Sequence, residues 1–218
     1  MTAPKKTTIF LADEQTLFCE GLASICESTR QFRVVGRCSD GRSAVKMIRG
    51  LSPDVAILDL GLPKLYALSV VQQLRQFGSS PKILILSMRR DRKTVLEALR
   101  AGANGYLLKS DPSHSLLDGV REVLAGSIFV SPQFKLAEIF TTSEAASPET
   151  PYEQLSAREH QVFTLLVEGL RGKEIADRLD LSPKTVGTYR SKLMRKLNIY
   201  DVAGLVKFAI RKKLIPAS

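Results

Sequence analysis

The chain has 218 residues, 44% of them hydrophobic, which is enough to bury the cores of one large or two ordinary domains. Its net charge of +10 at pH 7 favours a polyanionic partner, such as nucleic acid or an anionic membrane surface. No apolar run approaches the length of a membrane span, so we do not expect a membrane protein.

The cysteines and the N-terminal residues favour a cytoplasmic protein. Cys19, Cys26 and Cys38 are odd in number and lie in no metal-ligand spacing, so we interpret them as reduced thiols. The first residues lack the apolar stretch of a signal peptide.

Residues 7–125 alternate short apolar runs with longer amphipathic stretches. Such runs are typical of strands buried on both faces of a parallel sheet, and the stretches between them predict helices. Five strand–helix units predict a doubly wound α/β domain over residues 1–128, with a flavodoxin-like (βα)5 arrangement. The five runs lie at 9–12, 32–35, 55–58, 83–86 and 105–108.

Chemically active side chains stand at the carboxyl ends of four predicted strands, where ligands bind in open α/β sheets. They are Asp13 and Glu14 after strand one, Asp59 after strand three, Ser87 after strand four and Lys109 after strand five. In a flavodoxin-like order these ends are adjacent, so three carboxylates, a hydroxyl and an ammonium would converge. Three carboxylates need a cation, and oxygen ligands suit Mg²⁺. A carboxylate beside Mg²⁺ can attack a phosphoryl group, whose oxygens the lysine and the hydroxyl then bind.

Each of these residues also has a simpler interpretation. Asp13, Asp59 or Ser87 could cap a following helix, and Lys109 could be a solvated loop lysine. Five matching residue types at four strand ends favour one shared site.

Composition changes beyond the α/β region. Residues 129–152 contain a stretch rich in Ser, Thr, Glu and Pro and predict a linker that is at least partly disordered. Residues 153–218 show only helical patterns and predict a second, small all-α domain of four helices. This domain carries 13 Lys and Arg against 7 Asp and Glu, so its surface has a higher density of positive charge than that of the domain at residues 1–128.

Residues 182–197 have the layout of a helix that reads DNA. Ser182 can cap its start, and Pro183 suits the first helical position. A solvated amphipathic helix would be the better interpretation of this segment in isolation, so the DNA hypothesis depends on its neighbours. Its predicted buried stripe is Val186, Tyr189, Leu193 and Leu197. The opposite face suits phosphates and base edges and comprises Lys184, Thr188, Ser191, Lys192 and Arg195.

Residues 7–125 resemble a response-regulator receiver domain. The matching segments are 12–14, 58–63, 86–87 and 105–109. The resemblance implies that Asp59 is the phosphoacceptor and that Ser87 and Lys109 contact the phosphoryl group. The implied Mg²⁺ ligands are Asp13, Glu14, Asp59 and the Gly61 carbonyl. Tyr106 matches the family's aromatic switch, although a half-buried strand tyrosine remains an alternative.

Two departures from the receiver pattern lie near the predicted pocket. The loop at 64–68 is bulky and lacks glycine, and it could alter phosphorylation or partner access. Arg89 and Arg90 make the segment after Ser87 unusually basic, and they could restrict small phosphodonors or slow hydrolysis.

Residues 153–218 resemble a LuxR-type helix-turn-helix domain in segments 155–159, 168–170, 173–176, 181–186 and 196–197. Both resemblances together imply a NarL/FixJ-class response regulator. Gly187 inside a helix costs about 1 kcal/mol of helix stability relative to alanine. It either permits close approach of the backbone to DNA or is a tolerated weak spot. The candidate DNA contacts are Lys173, Lys184, Thr185, Gly187, Thr188, Arg190, Ser191, Lys192 and Arg195. The fourth helix dimerises in relatives, which makes Val202, Leu205, Val206 and Ala209 candidates for a dimer surface, although some of them must also pack internally.

The preferred hypothesis is a two-component transcription factor rather than an enzyme. A sensor histidine kinase would phosphorylate Asp59 and thereby control dimerisation and sequence-specific binding to double-stranded promoter DNA. In an alternative, the receiver acts as a phosphorylation-independent dimerisation or protein-interaction module. A phosphatase acting on external substrates is less favoured, because no cap domain or substrate pocket can be named in the sequence.

Overall fold

The computed structural model describes residues 6–76, 81–136, 139, 150–152, 154–212 and 214. The chain divides into two compact units between Thr142 and Ser143. The first unit contains a parallel sheet flanked by helices, and the second is helical. Every helix among these residues is too short or too polar to cross a membrane.

The first unit has the predicted α/β architecture, with strand order β2-β1-β3-β4-β5-β6 and all strands parallel. The strands are β1 (Thr7–Ala12), β2 (Phe32–Cys38), β3 (Val55–Asp59), β4 (Lys82–Ser87), β5 (Gly105–Leu108) and β6 (Phe129–Val130). The helices between them are α1 (Thr16–Glu27), α2 (Gly41–Leu51), α3 (Ala67–Gln76), α4 (Arg92–Arg100) and α5 (Ser113–Leu124). The central strands are buried on both faces, which explains their continuous apolar runs.

The sixth strand corrects the predicted start of the linker. Phe129 donates its backbone N–H to the Asn104 carbonyl (3.1 Å), and Ser131 donates to the Tyr106 carbonyl (2.9 Å), which pairs this segment with β5. Two paired residues are too few to show a strand period, so the sequence pattern did not reveal β6. At the other end of the predicted linker, Tyr152 packs against Phe163 of the second unit, with ring centroids 5.3 Å apart. Most of the predicted linker, including residues 140–149, lies outside the described residues.

The second unit consists of the four predicted helices, α6 (Ala157–Val167), α7 (Gly172–Leu179), α8 (Pro183–Leu197) and α9 (Val202–Arg211). Polar residues cap the ends of these helices, including the predicted cap Ser182. Ser156 and Glu159 form a capping box at the start of α6, and Ser182 accepts a hydrogen bond from the Thr185 N–H (3.0 Å) at the start of α8. Asn198 ends α8 in the left-handed conformation, with φ 55°, and Asp201 caps α9.

One long-range ion pair ties α8 to α6. The Lys196 ammonium lies 2.6 Å from the Glu159 carboxylate, whose side chain is only 4% exposed. Lys196 also donates to the Gln154 carbonyl (3.2 Å). Burial alone would raise the pKa of Glu159, but Lys196 and the Ser156 N–H outweigh burial and hold that pKa below its ordinary value. The pair therefore stabilises the junction of the two helices.

Candidate functional site

The strand order brings the predicted chemical groups to one edge of the sheet. Strands β1, β3, β4 and β5 are consecutive neighbours. Asp13 follows β1, Asp59 ends β3, Ser87 ends β4 and Lys109 follows β5. Because all four strands are parallel, their carboxyl ends lie side by side at the position where α/β sheets bind ligands.

Lys109 joins the two central carboxylates. Its ammonium lies 2.7 Å from Asp13 Oδ2 and 2.8 Å from Asp59 Oδ1, and all three side chains are largely buried. The remaining carboxylate oxygens accept backbone hydrogen bonds, Asp13 Oδ1 from Gln15 and Asp59 Oδ2 from Gly61, both at 2.9 Å. Each carboxylate is thus held in one orientation, which is the property that a preorganised acceptor requires.

The electrostatic environment shifts both members of the Asp59–Lys109 pair. Burial raises the pKa of Asp59 above its ordinary value, and the neighbouring lysine limits the rise. Burial alone would lower the pKa of Lys109, but attraction to Asp59 and Asp13 outweighs burial and raises that pKa. Lys109 therefore remains a cation, ready to meet additional negative charge at Asp59.

Two carboxylates of the predicted donor set converge on one positive charge. One oxygen from Asp13 and one from Asp59 already lie within 2.8 Å of a single positive atom. Glu14 is exposed, and the described residues contain no group of three Asp, Glu, His or Cys side chains arranged to hold a metal. Asp13 and Asp59 are therefore the converging pair, and the assignment of Glu14 as a third ligand stays a prediction. Mg²⁺ commonly uses one or two carboxylates and keeps several waters, so Asp13 and Asp59 suffice.

Gly61 stands close to the acceptor carboxylate. A Cβ at this position would lie 3.0 Å from Asp59 Oδ2, tighter than most real contacts, and would crowd the mouth of the site. The side chain of Asp59 is 13% exposed, so a small residue at position 61 keeps this carboxylate accessible.

A chain of hydrogen bonds links Ser87 to Tyr106 through a residue that sequence reasoning did not assign to the switch. The Arg89 N–H donates to Ser87 Oγ (3.0 Å), and the Tyr106 hydroxyl donates to the Arg89 carbonyl (2.9 Å). Tyr106 is fully buried, so it is not the half-buried strand tyrosine of the alternative interpretation. Burial raises the pKa of its phenol well above the ordinary value. Only the backbone of Arg89 takes part, which explains why no sequence signal pointed to it.

Both departures from the receiver pattern are anchored by local ion pairs. Lys64 adopts a left-handed conformation (φ 60°), and its ammonium lies 3.0 Å from the Asp40 carboxylate at the start of α2. Arg89 pairs with Asp91 at 2.9 Å, and Asp91 caps α4. The charge of Arg89 is therefore neutralised within its own loop, and Arg90 donates to Ser110 Oγ (3.2 Å).

The second candidate site is the exposed face of α8. The predicted stripe is confirmed, with Val186, Leu193 and Leu197 buried and Tyr189 packed against the core. Met194 is also buried. The basic candidates are all exposed, and none of them forms an ion pair with another residue that the structure describes. They are Lys173, Lys184, Arg190, Lys192 and Arg195.

The polar candidates on α8 differ in their availability. Thr188 and Ser191 are exposed, although Thr188 Oγ1 donates to the Lys184 carbonyl (3.1 Å). Thr185 is half-buried with its hydroxyl 2.8 Å from Ser182 Oγ, so it belongs to the helix cap. Gly187 is exposed, and an added Cβ there would meet nothing within 4 Å.

The structure corrects half of the predicted dimer surface. Leu205 and Ala209 are completely buried in the core of the second unit, because they lie on the face of α9 that packs inward with Phe208. Val202 is half-buried and packs against the same core. Val206 is half-buried and stands outside the core cluster, so it is the candidate best placed to meet a partner.

Two matches with known families cover most of the chain and define its class. Residues 9–121 match the response regulator receiver domain, and residues 153–209 match bacterial regulatory proteins of the luxR family. The chain therefore belongs to the response regulators that join a receiver domain to a LuxR-type DNA-binding domain. This family consists of transcription factors of two-component systems rather than enzymes.

Individual relatives share the whole organisation. The chain is 30% identical over 209 residues to the response regulator UvrY of Escherichia coli K12, covering 96% of both proteins. It is 33% identical over 213 residues to the oxygen regulatory protein NreC of Staphylococcus carnosus, covering 95% and 98%. The fold is similar to that of RcsB from Salmonella enterica serovar Typhimurium, solved bound to promoter P1flhDC with the phosphomimetic BeF3-. That comparison has a TM-score of 0.69 at 22% identity and covers 94% of this chain and 98% of the other.

Proposed function

We propose that a sensor histidine kinase phosphorylates Asp59 and that the modification controls binding of the second unit to promoter DNA. The observation that carries this proposal is the Lys109 bridge between Asp13 and Asp59 at 2.7 and 2.8 Å. A structural salt bridge would need one carboxylate. Two carboxylates held on one ammonium, at the ligand-binding edge of the sheet, favour a site built to receive further charge.

The proposed reaction is transfer of a phosphoryl group from an imidazole nitrogen of the kinase to an Asp59 oxygen. The N–P bond breaks as the O–P bond forms, so the carboxylate becomes an acyl phosphate. Lys109 and the Ser87 hydroxyl bind the phosphoryl oxygens, where the charge lies. Asp13, Glu14, Asp59 and the Gly61 carbonyl would hold Mg²⁺, which neutralises phosphoryl charge when bound.

Movement of Ser87 toward the phosphoryl group would disturb the chain that ends at Tyr106. Ser87 Oγ accepts from the Arg89 N–H, and the Arg89 carbonyl accepts from the Tyr106 hydroxyl. Withdrawal of the Ser87 hydroxyl removes one of these bonds, so the segment at Arg89 and the buried ring of Tyr106 adjust together. Phosphorylation thus shifts a population between two arrangements of this surface.

On the output side, α8 would enter the major groove of double-stranded DNA. The exposed cations of the α8 face contact phosphates, and Thr188 and Ser191 reach base edges or bound water. The active form would be a homodimer that places two such helices on half-sites about one helical turn apart. Val206 is then expected to lie at or near the dimer contact. Such a protein would act in the cytoplasm, where DNA and kinase are both accessible.

The proposal is tested by DNA binding at fixed salt, with DNA fragments first selected in vitro by the full-length protein. Wild type and Asp59→Ala are compared with and without a small phosphodonor and Mg²⁺, and phosphorylation is measured by intact mass. Tightening of the wild type alone supports the switch. Equal binding by both proteins, with the wild type phosphorylated, contradicts it and favours the alternative in which the receiver is a phosphorylation-independent dimerisation or protein-interaction module.

A further inference from the structure

Residues 129–136, here called the extension, comprise β6 and the six residues that follow it in the chain. Ser131 within it is fully buried. Ser131 Oγ accepts a hydrogen bond from the Leu108 N–H (2.8 Å) and donates one to the Asp111 carboxylate. The Asp111 N–H in turn donates to the Leu108 carbonyl (3.0 Å). The extension therefore holds the turn that carries Lys109.

The extension also contacts Tyr106 with both side chain and backbone. The Phe134 ring meets the Tyr106 ring edge-on, with centroids 6.2 Å apart and an interplanar angle of 75°. The Ser131 N–H donates to the Tyr106 carbonyl (2.9 Å), and the Phe134 N–H donates to the Ser131 carbonyl (2.8 Å). The ring of Phe134 is thus fixed to the same short turn that binds the Lys109 segment.

The next described residue of this run reaches α4. Ile139 is 2% exposed, and its carbonyl accepts a hydrogen bond from the Arg92 guanidinium (3.2 Å) in the first turn of α4. That helix is capped by Asp91, the partner of Arg89. The chain that leads out of the first unit therefore touches all three places expected to respond to Asp59: the Lys109 turn, the Tyr106 ring and the start of α4.

We propose that the extension transmits the state of Asp59 to the DNA-binding unit, with Ser131 and Phe134 as positioning residues that act through Lys109 and Tyr106. This inference rests on the proposed function and names the route by which that site controls output. Every covalent path from the sheet to the second unit runs through the extension, so displacing its anchors changes where the linker leaves the sheet. If these anchors carry the coupling free energy between Asp59 and the DNA-binding unit, loosening them weakens the effect of phosphorylation on DNA affinity.

The test compares the gain in DNA affinity on phosphorylation among full-length variants. Phe134→Ala and Ser131→Ala remove the anchors, whereas Leu136→Ala is the matched control, because Leu136 lies in the same extension and is exposed. Phe134→Tyr keeps the ring and is the rescue variant. The phosphorylated fraction of each protein is measured by intact mass. We expect Phe134→Ala and Ser131→Ala to be phosphorylated as the wild type is. The factor by which phosphorylation raises their DNA affinity should be smaller by at least about fivefold, while the control and rescue variants keep the wild-type factor.

A second readout is hydrogen exchange of the peptide covering residues 129–136 in the wild type, before and after phosphorylation. We expect its protection to change in the wild type and to stay constant in Asp59→Ala. The inference is overturned if phosphorylation raises the DNA affinity of Phe134→Ala by the same factor as that of the wild type. This includes the case in which the variant binds DNA more weakly than the wild type by an equal factor in both phosphorylation states. If phosphorylation does not raise the DNA affinity of the wild type, the proposed control of DNA binding is wrong. If hydrogen exchange of residues 129–136 is also the same before and after phosphorylation, the inference is overturned as well. A wild type that cannot be phosphorylated overturns both.

Discussion

The proposed phosphorylation pocket and the exposed face of α8 use charge in opposite ways. In the pocket, the side chains of Asp13, Asp59 and Lys109 are largely buried, and the Lys109 ammonium lies within 2.8 Å of one oxygen of each carboxylate. On α8, the cations that include Lys184 and Lys192 are exposed, and no ion pair holds them among the residues that the structure describes. One region fixes every charge in place, and the other leaves its charges to solvent.

This difference corresponds to two kinds of response. Buried charges interact strongly because little solvent screens them, so one added phosphoryl group can change the preferred arrangement of the surrounding structure. Exposed charges contribute little to folding stability but release counterions when they meet a polyanion, which produces affinity that depends on salt. Substitutions in the two regions should therefore affect different measurements.

Substitution of Lys196 is expected to have the largest effect. This residue lies on α8, but it forms an ion pair with a buried carboxylate, as Lys109 does in the pocket. Lys196→Met leaves the buried Glu159 carboxylate without its cation, and we expect the second unit to lose about 2 kcal/mol of stability. Chemical denaturation at neutral pH measures this loss. Lys207→Met on the exposed face of α9 is the matched control, and an equal loss there would contradict the role of the pair.

The same variant has an expected pH dependence. The pKa of Glu159 is lowered in the folded protein, so its contribution to stability is complete above its unfolded pKa, near 4.5, and disappears as pH falls through the lower folded pKa. The difference between wild type and Lys196→Met should thus shrink in acid. A difference that stays constant down to the acid transition would refute the electrostatic explanation.

The exposed cations should change DNA binding rather than folding. Lys192→Ala is expected to weaken binding to all DNA sequences about tenfold at moderate salt and to reduce the slope of log affinity against log salt by about 1. Its melting temperature should stay close to that of the wild type. Titrations at several salt concentrations measure the slope, with Lys207→Ala as the control. A preserved slope would remove Lys192 from the set of phosphate contacts.

Within the pocket, the unmodified protein should be more stable without the charge on Asp59. Burial raises the pKa of this carboxylate, so ionisation opposes folding, and Asp59→Asn is expected to stabilise the first unit by about 1 kcal/mol at neutral pH. The pKa of Asp59 in the folded protein lies above its unfolded value of 3.8. The extra stability of Asp59→Asn is therefore complete above the folded pKa and disappears as pH falls toward 3.8. Thermal melts across this range measure it, and destabilisation at neutral pH would contradict the prediction.

The smallest expected effect concerns Gly187. An added methyl group meets no atom within 4 Å, so Gly187→Ala should stabilise α8 by somewhat less than about 1 kcal/mol through helix propensity. DNA affinity distinguishes the two interpretations of this glycine. A loss of affinity with a gain in stability would indicate that the backbone approaches DNA closely here, whereas unchanged affinity would identify a tolerated weak spot.

Sequence patterns determined the elements and the ends of the strands. Near-continuous apolar runs predicted β1 to β5, and helical periodicity with Ser182 at its start predicted α8, because strand burial and helix capping act over a few neighbouring residues. The parallel order then made it possible to expect Asp13, Asp59 and Lys109 together. These features are local or follow from a general rule of α/β sheets.

Only the tertiary structure decided how distant segments meet. The hydrogen bonds of Ser131 to the Lys109 turn and the use of the Arg89 backbone between Ser87 and Tyr106 leave no periodic trace in the chain. A two-residue strand such as β6 is recognisable only when β5 lies beside it. Such contacts depend on packing between residues far apart in sequence, and packing is established only when the sheet and helices assemble.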